Sequence, residues 1–531
     1  LGVVMAGGMW GARLRGLMLG VALLGSGAMP AAAQKDTNTV VWGMAGIPRH
    51  LNQAVQSGVY TMEPGAQIFA SPIRFDENYK PQPYLAESWR FEDDGRSLVL
   101  KLVKGATFHD GKPVTSADFA FSIMAVKAHH PFQAMMSAIE RVDTPDAETA
   151  IIRMSQPHPA ILDALSPPFC PILPKHVFDD GTDLKVHPRN NNPVGSGPFR
   201  FVEFKPGEHI ILERNKDFFL KDRPKLDRIV IRLFKDPAAL ALAMEAKEVH
   251  FSTFIADIPV IDQLAKVPGL VASPLGGEAI GPIAWLAFNL TKKPFDDVRV
   301  RQALSFAIDR EFITKRLHRG RSQIATGPIT LGTPFYTDDV ERYKVDLAKA
   351  EQLLDAAGLR KDASGIRFRT SIDFGSSRDY GQNIAEYFRS QFRRIGVDLE
   401  LRQTPDFPTW ARRVGGHEFD MTMDLVFNWG DPVVGVHRTY LTSNIRKGVV
   451  WSNTQSYSNP RVDELLALAS VEPDVAKRKA FYKEFQQIVV REAPIAFLTV
   501  IPYHQIFDAR LDGLPRSIWG STSPVDELRW K

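Results

Sequence analysis

The densest set of residues able to recognise a small molecule is Phe427-Asn428-Trp429-Gly430-Asp431-Pro432. Trp429 offers a flat apolar face and one N–H donor. Asn428 both donates and accepts. Asp431, directly before a proline, either accepts from an ammonium or caps the turn. The run follows an apolar stretch from Phe419 to Phe427 that reads as a strand. Its side chains therefore emerge at a sheet edge, where open α/β folds hold ligands. Arg412, Arg413 and Arg438 flank it. A guanidinium can hold a carboxylate bidentately, although each of the three also suits a solvated face. Trp451 and Tyr457 suit either a cleft wall or a core.

Catalytic motifs do not accompany this cluster. There is no Gly-x-Ser-x-Gly elbow and no His-Glu-x-x-His, and Gly195-Ser196-Gly197 lacks the elbow's spacing. His129 and His130 are adjacent, so they diverge on a helix and chelate poorly. Without a P-loop, ATP hydrolysis belongs to a partner. Lys+Arg 65 against Asp+Glu 61 leaves a net +4. That excess is too small for a nucleic-acid surface. With 531 residues and 44% hydrophobic side chains the chain can bury a large core.

The elements that must position the cluster begin after an export signal. Arg13 and Arg15 form a positive n-region, Leu17 to Leu24 an apolar stretch too short to span a bilayer, and Ala31-Ala32-Ala33 a cleavage site. Residues 1–34 are thus expected to be a cleaved signal peptide. Losing its two arginines takes the mature charge from +4 to +2. No cysteine lies near the cleavage site, so no lipid anchor is expected. The single cysteine, Cys170, sits among Pro168, Phe169 and Pro171 and reads as a buried small hydrophobe.

From Thr37 onward strands alternate with helices. Thr115 with Asp118 three residues on predicts a capped helix start. Val300, Ala303, Leu304, Ala307, Ile308 and Phe312 predict one amphipathic helix. Asp346 to Ala357 reads as a helix closed by Gly358. Arg378 to Ile395 reads as another, and Asn459-Pro460 starts a third. Arg299, Arg301 and Asp309 read as a solvated or cap-forming face. The first half is a β-rich mixture and the second is βαβ-like. No flexible linker separates them, so two blocks joined by crossing strands and a hinge are expected.

Four strings, in order, resemble one family. They are Pro83-Tyr-Leu-Ala-Glu-Ser-Trp89 running to Gly105-Ala-Thr-Phe-His-Asp-Gly-Lys-Pro-Val-Thr-Ser-Ala-Asp118; Val194-Gly-Ser-Gly-Pro-Phe-Arg-Phe; Leu286-Ala-Phe-Asn-Leu-Thr-Lys-Lys-Pro-Phe-Asp-Asp-Val-Arg-Val-Arg-Gln-Ala-Leu-Ser-Phe-Ala-Ile-Asp-Arg310; and Tyr457-Ser-Asn-Pro-Arg-Val-Asp-Glu-Leu-Leu. Together they resemble the family 5 extracellular solute-binding proteins, the dipeptide, oligopeptide and nickel receptors of bacterial ABC importers. Most of the signature residues, such as Gly105, Gly111, Asp110 and Thr115, read as turn and cap formers rather than ligand contacts.

The resemblance implies an α/β, two-lobed periplasmic binding protein fold of the large type, with mixed sheets and a hinge. It implies lobe I at residues 35–284 plus 505–531, carrying an extra subdomain near 76–200, and lobe II at 285–504. It implies an exported, monomeric protein that binds a small molecule, needs no cofactor, touches no nucleic acid, is not embedded in the membrane and works with ABC permease and ATPase subunits. The cleft is expected to draw on Arg49, His50 and Asn52 after the first strand, on Trp285 at the lobe crossover, and on Phe427, Asn428, Trp429 and Asp431. Arg413 and Trp451 complete the candidate set. In the related peptide receptors an acid captures the ligand's free amine, and Asn428 stands at that acid's place. A neutral amide gives no full charge-assisted bond to an ammonium. Unmodified dipeptides are therefore expected to bind weakly, with peptide-like, opine-like or sugar-like solutes as the alternatives. His50 leaves a nickel-chelate or other metallophore ligand open. An exported hydrolase or peptide chaperone is the rival function on the same fold.

Overall fold

The computed structural model describes residues 38–375, 378–501 and 503–531. The expected signal peptide lies outside the described residues. Two large sheets organise the rest. The first has seven strands in the order Leu270–Ser273, His504–Asp508, Phe251–Ile255, Thr39–Met44, Arg228–Leu233, His209–Arg214, Phe199–Lys205. Thr39–Met44 lies parallel to both its neighbours, and the outer pairs are antiparallel. The second has six strands in the order Gln323–Ile324, Ile495–Val500, Pro282–Phe288, Met421–Phe427, Phe368–Phe374, Val397–Gln403. It too is mixed, parallel among its last three strands. The chain passes between the sheets twice, from Ser273 to Pro282 and from Val500 to His504. The fold is thus two-lobed and α/β.

A four-stranded antiparallel sheet, Ala86–Glu92, Ser97–Leu102, Thr149–Met154 and Ile139–Asp146, stands on the first lobe with the helix Ser116–His129 against it. That helix starts on the expected capping box of Thr115 and Asp118. The central strand of lobe I is apolar throughout because both its faces are covered. Val40, Trp42 and Met44 point into the core shared with the small sheet, whereas Val41 meets Leu240, Met244 and Ile506 on the other side. In lobe II, Leu286 and Phe288 face one core and Ile283, Trp285 and Ala287 the other. Cys170 is free and fully buried in the lobe I core. Among the described residues no helix is long and apolar enough to cross a membrane.

Two local expectations are corrected. The helix predicted through Phe312 is Val298–Ala307, and a separate turn, Arg310–Phe312, follows it. Ile308 is extended, and Asp309 restarts the helix by accepting from the Phe312 N–H at 3.0 Å. The Tyr387 hydroxyl bonds the Asp309 N–H at 2.8 Å and fixes the break. Arg301 is not on a solvated face but 5% exposed. Its guanidinium donates to the carbonyls of Phe295 at 2.7 Å and Glu492 at 2.8 Å. Glu492 ends the helix Val475–Glu492, so a cation meets the unpaired carbonyls and negative pole of a helix C-terminus. The other expected starts hold: Asp346 caps Leu347–Ala356, with Gly358 beyond its end at φ 82°, and Asn459 caps Pro460–Val471.

One buried acid makes stability depend on pH. Glu63, on the helix Val59–Ile68, is 1% exposed. It accepts from the Ser521 hydroxyl at 2.6 Å and from that of Thr253. Burial nevertheless pushes its carboxyl up to about 7 from an ordinary 4.5. The unfolded chain ionises near the lower value, so folding stability is greatest below it and falls as pH rises toward the upper one. The loss is on the order of 3 kcal/mol. Glu63→Gln should flatten that slope and make the protein more stable than wild type at about pH 8, as read from urea midpoints at about pH 5 and about pH 8.

Candidate functional site

The Phe427–Pro432 turn ends the strand Met421–Phe427 of lobe II and is buried against lobe I. Trp429 is 4% exposed and sits at φ 51°, a left-handed conformation that costs a bulky residue about 1–2 kcal/mol. Its ring packs against Phe132 at 5.9 Å, Phe169 at 5.8 Å and Phe427 at 5.6 Å. Phe132 and Phe169 come from the first-lobe side. Gly430 follows at φ 73°, and a Cβ there would meet Asp163 Oδ1 at 2.8 Å and the Trp519 ring at 2.9 Å. Only glycine fits.

The polar residues of the turn are fully engaged. Asn428 Oδ1 accepts from the Thr330 N–H at 2.7 Å, and its Nδ2 donates to the Pro328 carbonyl at 3.2 Å. Asp431 accepts the Val433 N–H at 3.0 Å and caps the helix Pro432–Gly435. Its two oxygens also receive the Arg478 guanidinium, both at 2.8 Å. Both partners are about 95% buried. Burial opposes ionisation of Asp431, yet Arg478 holds its carboxyl below the usual range. Asp163 lies near this pair, and burial, then the Asp431 charge, push its carboxyl up to about 8 against the opposing pull of Arg478.

Four residues earlier in the strand is an acid that sequence reasoning passed over. Asp424 stands opposite Trp285 in register. It accepts the Leu425 N–H at 2.7 Å and the Trp451 indole N–H. Burial pushes its carboxyl up to about 7, although the residue keeps part of its surface open. Arg438 is within electrostatic reach of it. Burial lowers the Arg438 guanidinium to about 10. Its Nε donates to the Gly435 carbonyl at 3.0 Å, and the Phe132 ring lies 5.0 Å beneath it. Trp451, 37% exposed and at φ 53°, stacks on the exposed Phe407 at 5.4 Å. Phe427 stacks on Tyr503 at 6.4 Å, and Tyr503 in turn meets Phe254 at 5.3 Å. Trp451 thus reaches Asp424, and Arg438 reaches the Phe427 carbonyl while lying over Phe132 of the first-lobe side.

The remaining candidates divide. Arg413 is half-buried and pairs with the buried Asp373 at 2.9 Å. Trp285 is 7% exposed and belongs to the lobe II core. Tyr457 is also in that core, bonded to Glu492 at 2.7 Å. Asn52 is fully buried, bonded to Asn190 at 2.9 Å and to the Ala54 N–H at 2.9 Å. His50 is buried, accepts the Asn52 N–H at 3.2 Å, and is held down to about 4 by burial and then by Arg49. It is therefore a neutral imidazole. Arg49 itself is exposed. Among the described residues no group of three or more His, Cys, Asp or Glu side chains is arranged to hold a metal ion. In the loop after the first strand, Gly46 packs against Tyr60 of the helix Val59–Ile68. A Cβ on Gly46 would meet that ring at 2.2 Å.

Comparison with known proteins bears on this geometry. Residues 80–447 match the model described as "Bacterial extracellular solute-binding proteins, family 5 Middle". The chain belongs to that family. It is 28% identical over 502 residues to heme-binding protein A of Haemophilus influenzae, covering 88% of each chain. It is 26% identical over 507 residues to di/tripeptide-binding protein 1 of Pseudomonas aeruginosa, covering 89% of this chain and 91% of that one. The crystal structure of the ABC transporter substrate-binding protein CtaP from Listeria monocytogenes superposes with a TM-score of 0.82 at 26% identity, covering 93% of this chain and all of that one. Family 5 members thus share this two-lobed scaffold, and relatives with differently named ligands share it about equally with this chain.

Two substitutions separate turn from ligand contact. Asn428→Asp exchanges the Nδ2 donor for an acceptor facing the Pro328 carbonyl. It should cost about 1–3 kcal/mol of stability in urea unfolding and not create tight dipeptide binding. Sub-micromolar calorimetric affinity of the variant for Ala-Ala would contradict this. Arg478→Met leaves Asp431 charged and buried beside Asp163, and should cost about 3–5 kcal/mol by the same measurement.

Proposed function

We propose that this protein is the exported solute-binding component of an ABC importer. It takes a small peptide-like, opine-like or sugar-like solute between its lobes and presents it, unaltered, to permease and ATPase subunits. The carrying observation is the cluster of polar and aromatic side chains, Asp424, Arg438, Trp451 and Phe427, at the end of a lobe II strand that packs against Phe132 of the first-lobe side. Among the described residues neither Asp424 nor Arg438 belongs to an ion pair, and aromatic rings pack beside them. Charges left in that condition gain most from a guest that supplies the missing partners. Family membership supports the same reading.

The mechanism is a shift between open and closed lobes. Two short crossings join the lobes, so they can rotate as rigid bodies about those segments. A solute touching both sides favours the closed form by its differential affinity. The signal-like N-terminus supports a periplasmic location, and the lobes are proposed to divide as the sequence suggests, near residues 284 and 504, within one monomer.

The test joins three measurements on the mature protein. Native mass spectrometry identifies the solute that co-purifies. Adding that solute to stripped protein should raise the melting temperature in a saturable way and shrink the scattering radius. The solute should be recovered chemically intact. Appearance of a product would favour the hydrolase, and tight binding without compaction would count against lobe closure.

A further inference from the structure

We propose that Asp262, Arg319 and Arg321 form an ion-pair brace between the lobes, which sets their resting angle and makes that angle depend on ionic strength. The inference concerns the scaffold and holds whichever solute the protein receives.

The three residues come from the two large sheets. Asp262 lies on the helix Ile258–Leu264, which falls between the strands Phe251–Ile255 and Leu270–Ser273 of the seven-stranded sheet. Arg319 and Arg321 lead into Gln323–Ile324, an edge strand of the six-stranded sheet. Asp262 Oδ2 accepts from Arg319 Nη1 at 3.0 Å. Its Oδ1 accepts from Arg321 Nη2 at 2.9 Å and Nε at 3.1 Å. One carboxylate thus takes three charge-assisted bonds from two guanidiniums. By contrast, the pairs Asp431–Arg478, Asp373–Arg413 and Asp420–Lys292 each stay within lobe II.

Both sides of the brace run against a local preference. Asp262 stands in the last turn of its helix, where the negative pole disfavours an acid. Arg319 sits at φ 50° and Gly320 at φ 76°, a left-handed backbone that disfavours the arginine. The loop carrying the arginines is nevertheless fixed. The Gly320 N–H donates to the Thr314 carbonyl at 2.8 Å and the Arg321 N–H to the His318 carbonyl at 2.7 Å. The buried His318 ring bonds the Ser322 hydroxyl at 2.8 Å. Charges delivered by such a loop need little further ordering to meet.

Its place gives the brace leverage. The crossing from Val500 to His504 runs beside it, since Ile255 pairs with His504 and Gln323 with Val500. Next to it the Tyr380 hydroxyl donates to the Ala256 carbonyl at 3.1 Å, and Ala256 packs against the lobe II core. A rotation about this crossing has to pull Asp262 from the arginines or press it on them. The lobes already touch through Trp429, Phe132 and Phe169, so the freedom gained on losing the brace is freedom to part.

Solvent reaches the brace. The side chains are 22% exposed at Asp262, 58% at Arg319 and 32% at Arg321. Exposed pairs add little to folding. Lobe rotation, however, divides states of similar free energy, which a small contribution can shift. Burial opposes ionisation of Asp262, yet the bonds from Arg319 and Arg321 hold its carboxyl below the ordinary range. The brace is therefore charged at neutral pH, and salt weakens it by screening.

The experiment is small-angle scattering of the full mature chain, stripped of any solute, at about 0.05 M and about 1 M sodium chloride. The wild-type radius of gyration should shift upward with salt. Asp262→Asn should show the larger radius already at low salt and lose the salt response. The triple exchange of Asp262→Arg with Arg319→Asp and Arg321→Asp should restore the smaller, salt-sensitive radius, which a merely structural role for these positions would not do. Arg461→Gln, which removes an exposed pair with Glu484 inside lobe II, should respond to salt as wild type does. A wild-type radius that ignores salt or falls with it overturns the brace. So does an Asp262→Asn radius equal to wild type at both salts, or an Arg461→Gln response equal to that of Asp262→Asn. Solute binding is decided separately by the mass spectrometry above, so failure of the brace leaves the receptor reading standing.

Discussion

A carboxylate taken out of water needs a cation, and at the meeting of the two lobes Asp431 has Arg478 on both its oxygens. Much of the site follows from that pair. It anchors the start of the helix Pro432–Gly435, which fixes where the turn leaves the strand Met421–Phe427. The turn then has to pass Trp519 and Asp163 with no side chain, which requires Gly430. Trp429 is held in a left-handed backbone, where its ring fills the gap between Phe132, Phe169 and Phe427. A desolvated pair of this kind contributes little net stability, since lost hydration offsets most of the attraction. What it supplies is position.

The proposed recognition therefore falls to the surface beside the turn. Asn428 and Asp431 have committed their hydrogen-bonding groups to the protein, and Arg413 has Asp373. The groups left with capacity stand on the strand face and on the segment after the turn. Asp424 accepts the Trp451 indole N–H, and Arg438 lies over Phe132 and donates to the Gly435 carbonyl.

Much of the architecture was legible in the chain. Caps at Thr115, Asp346 and Asn459 mark helix starts because their side chains must satisfy the first free N–H groups. Val40, Trp42 and Met44 reveal a buried strand by composition. The break at Ile308 was not legible, because it depends on the Tyr387 hydroxyl, 78 residues away. Arg301 was misread for a similar reason, since its partner is the end of a helix nearly two hundred residues on. In the site, the turn was legible as a break at the end of a strand, but its internal bonding was invisible. Nothing in Asn428 announces Pro328 and Thr330. Asp424 did leave a signal: a lone acid within Met-Thr-Met-Asp-Leu-Val-Phe is costly unless something meets it. The flanking Arg438 became distinguishable from Arg412 and Arg413 only through Phe132, which belongs to the other lobe.

The locked turn also bears on how such a receptor can change its diet. Replacing Asn428 or Asp431 disturbs the scaffold before it alters taste, so those positions resist innovation. Asp424 and Arg438 hang from a strand and a short helix that persist without them. Exchanging those two side chains one at a time would change the polar groups beside the turn while the buried Asp431–Arg478 pair and Gly430 stay as they are.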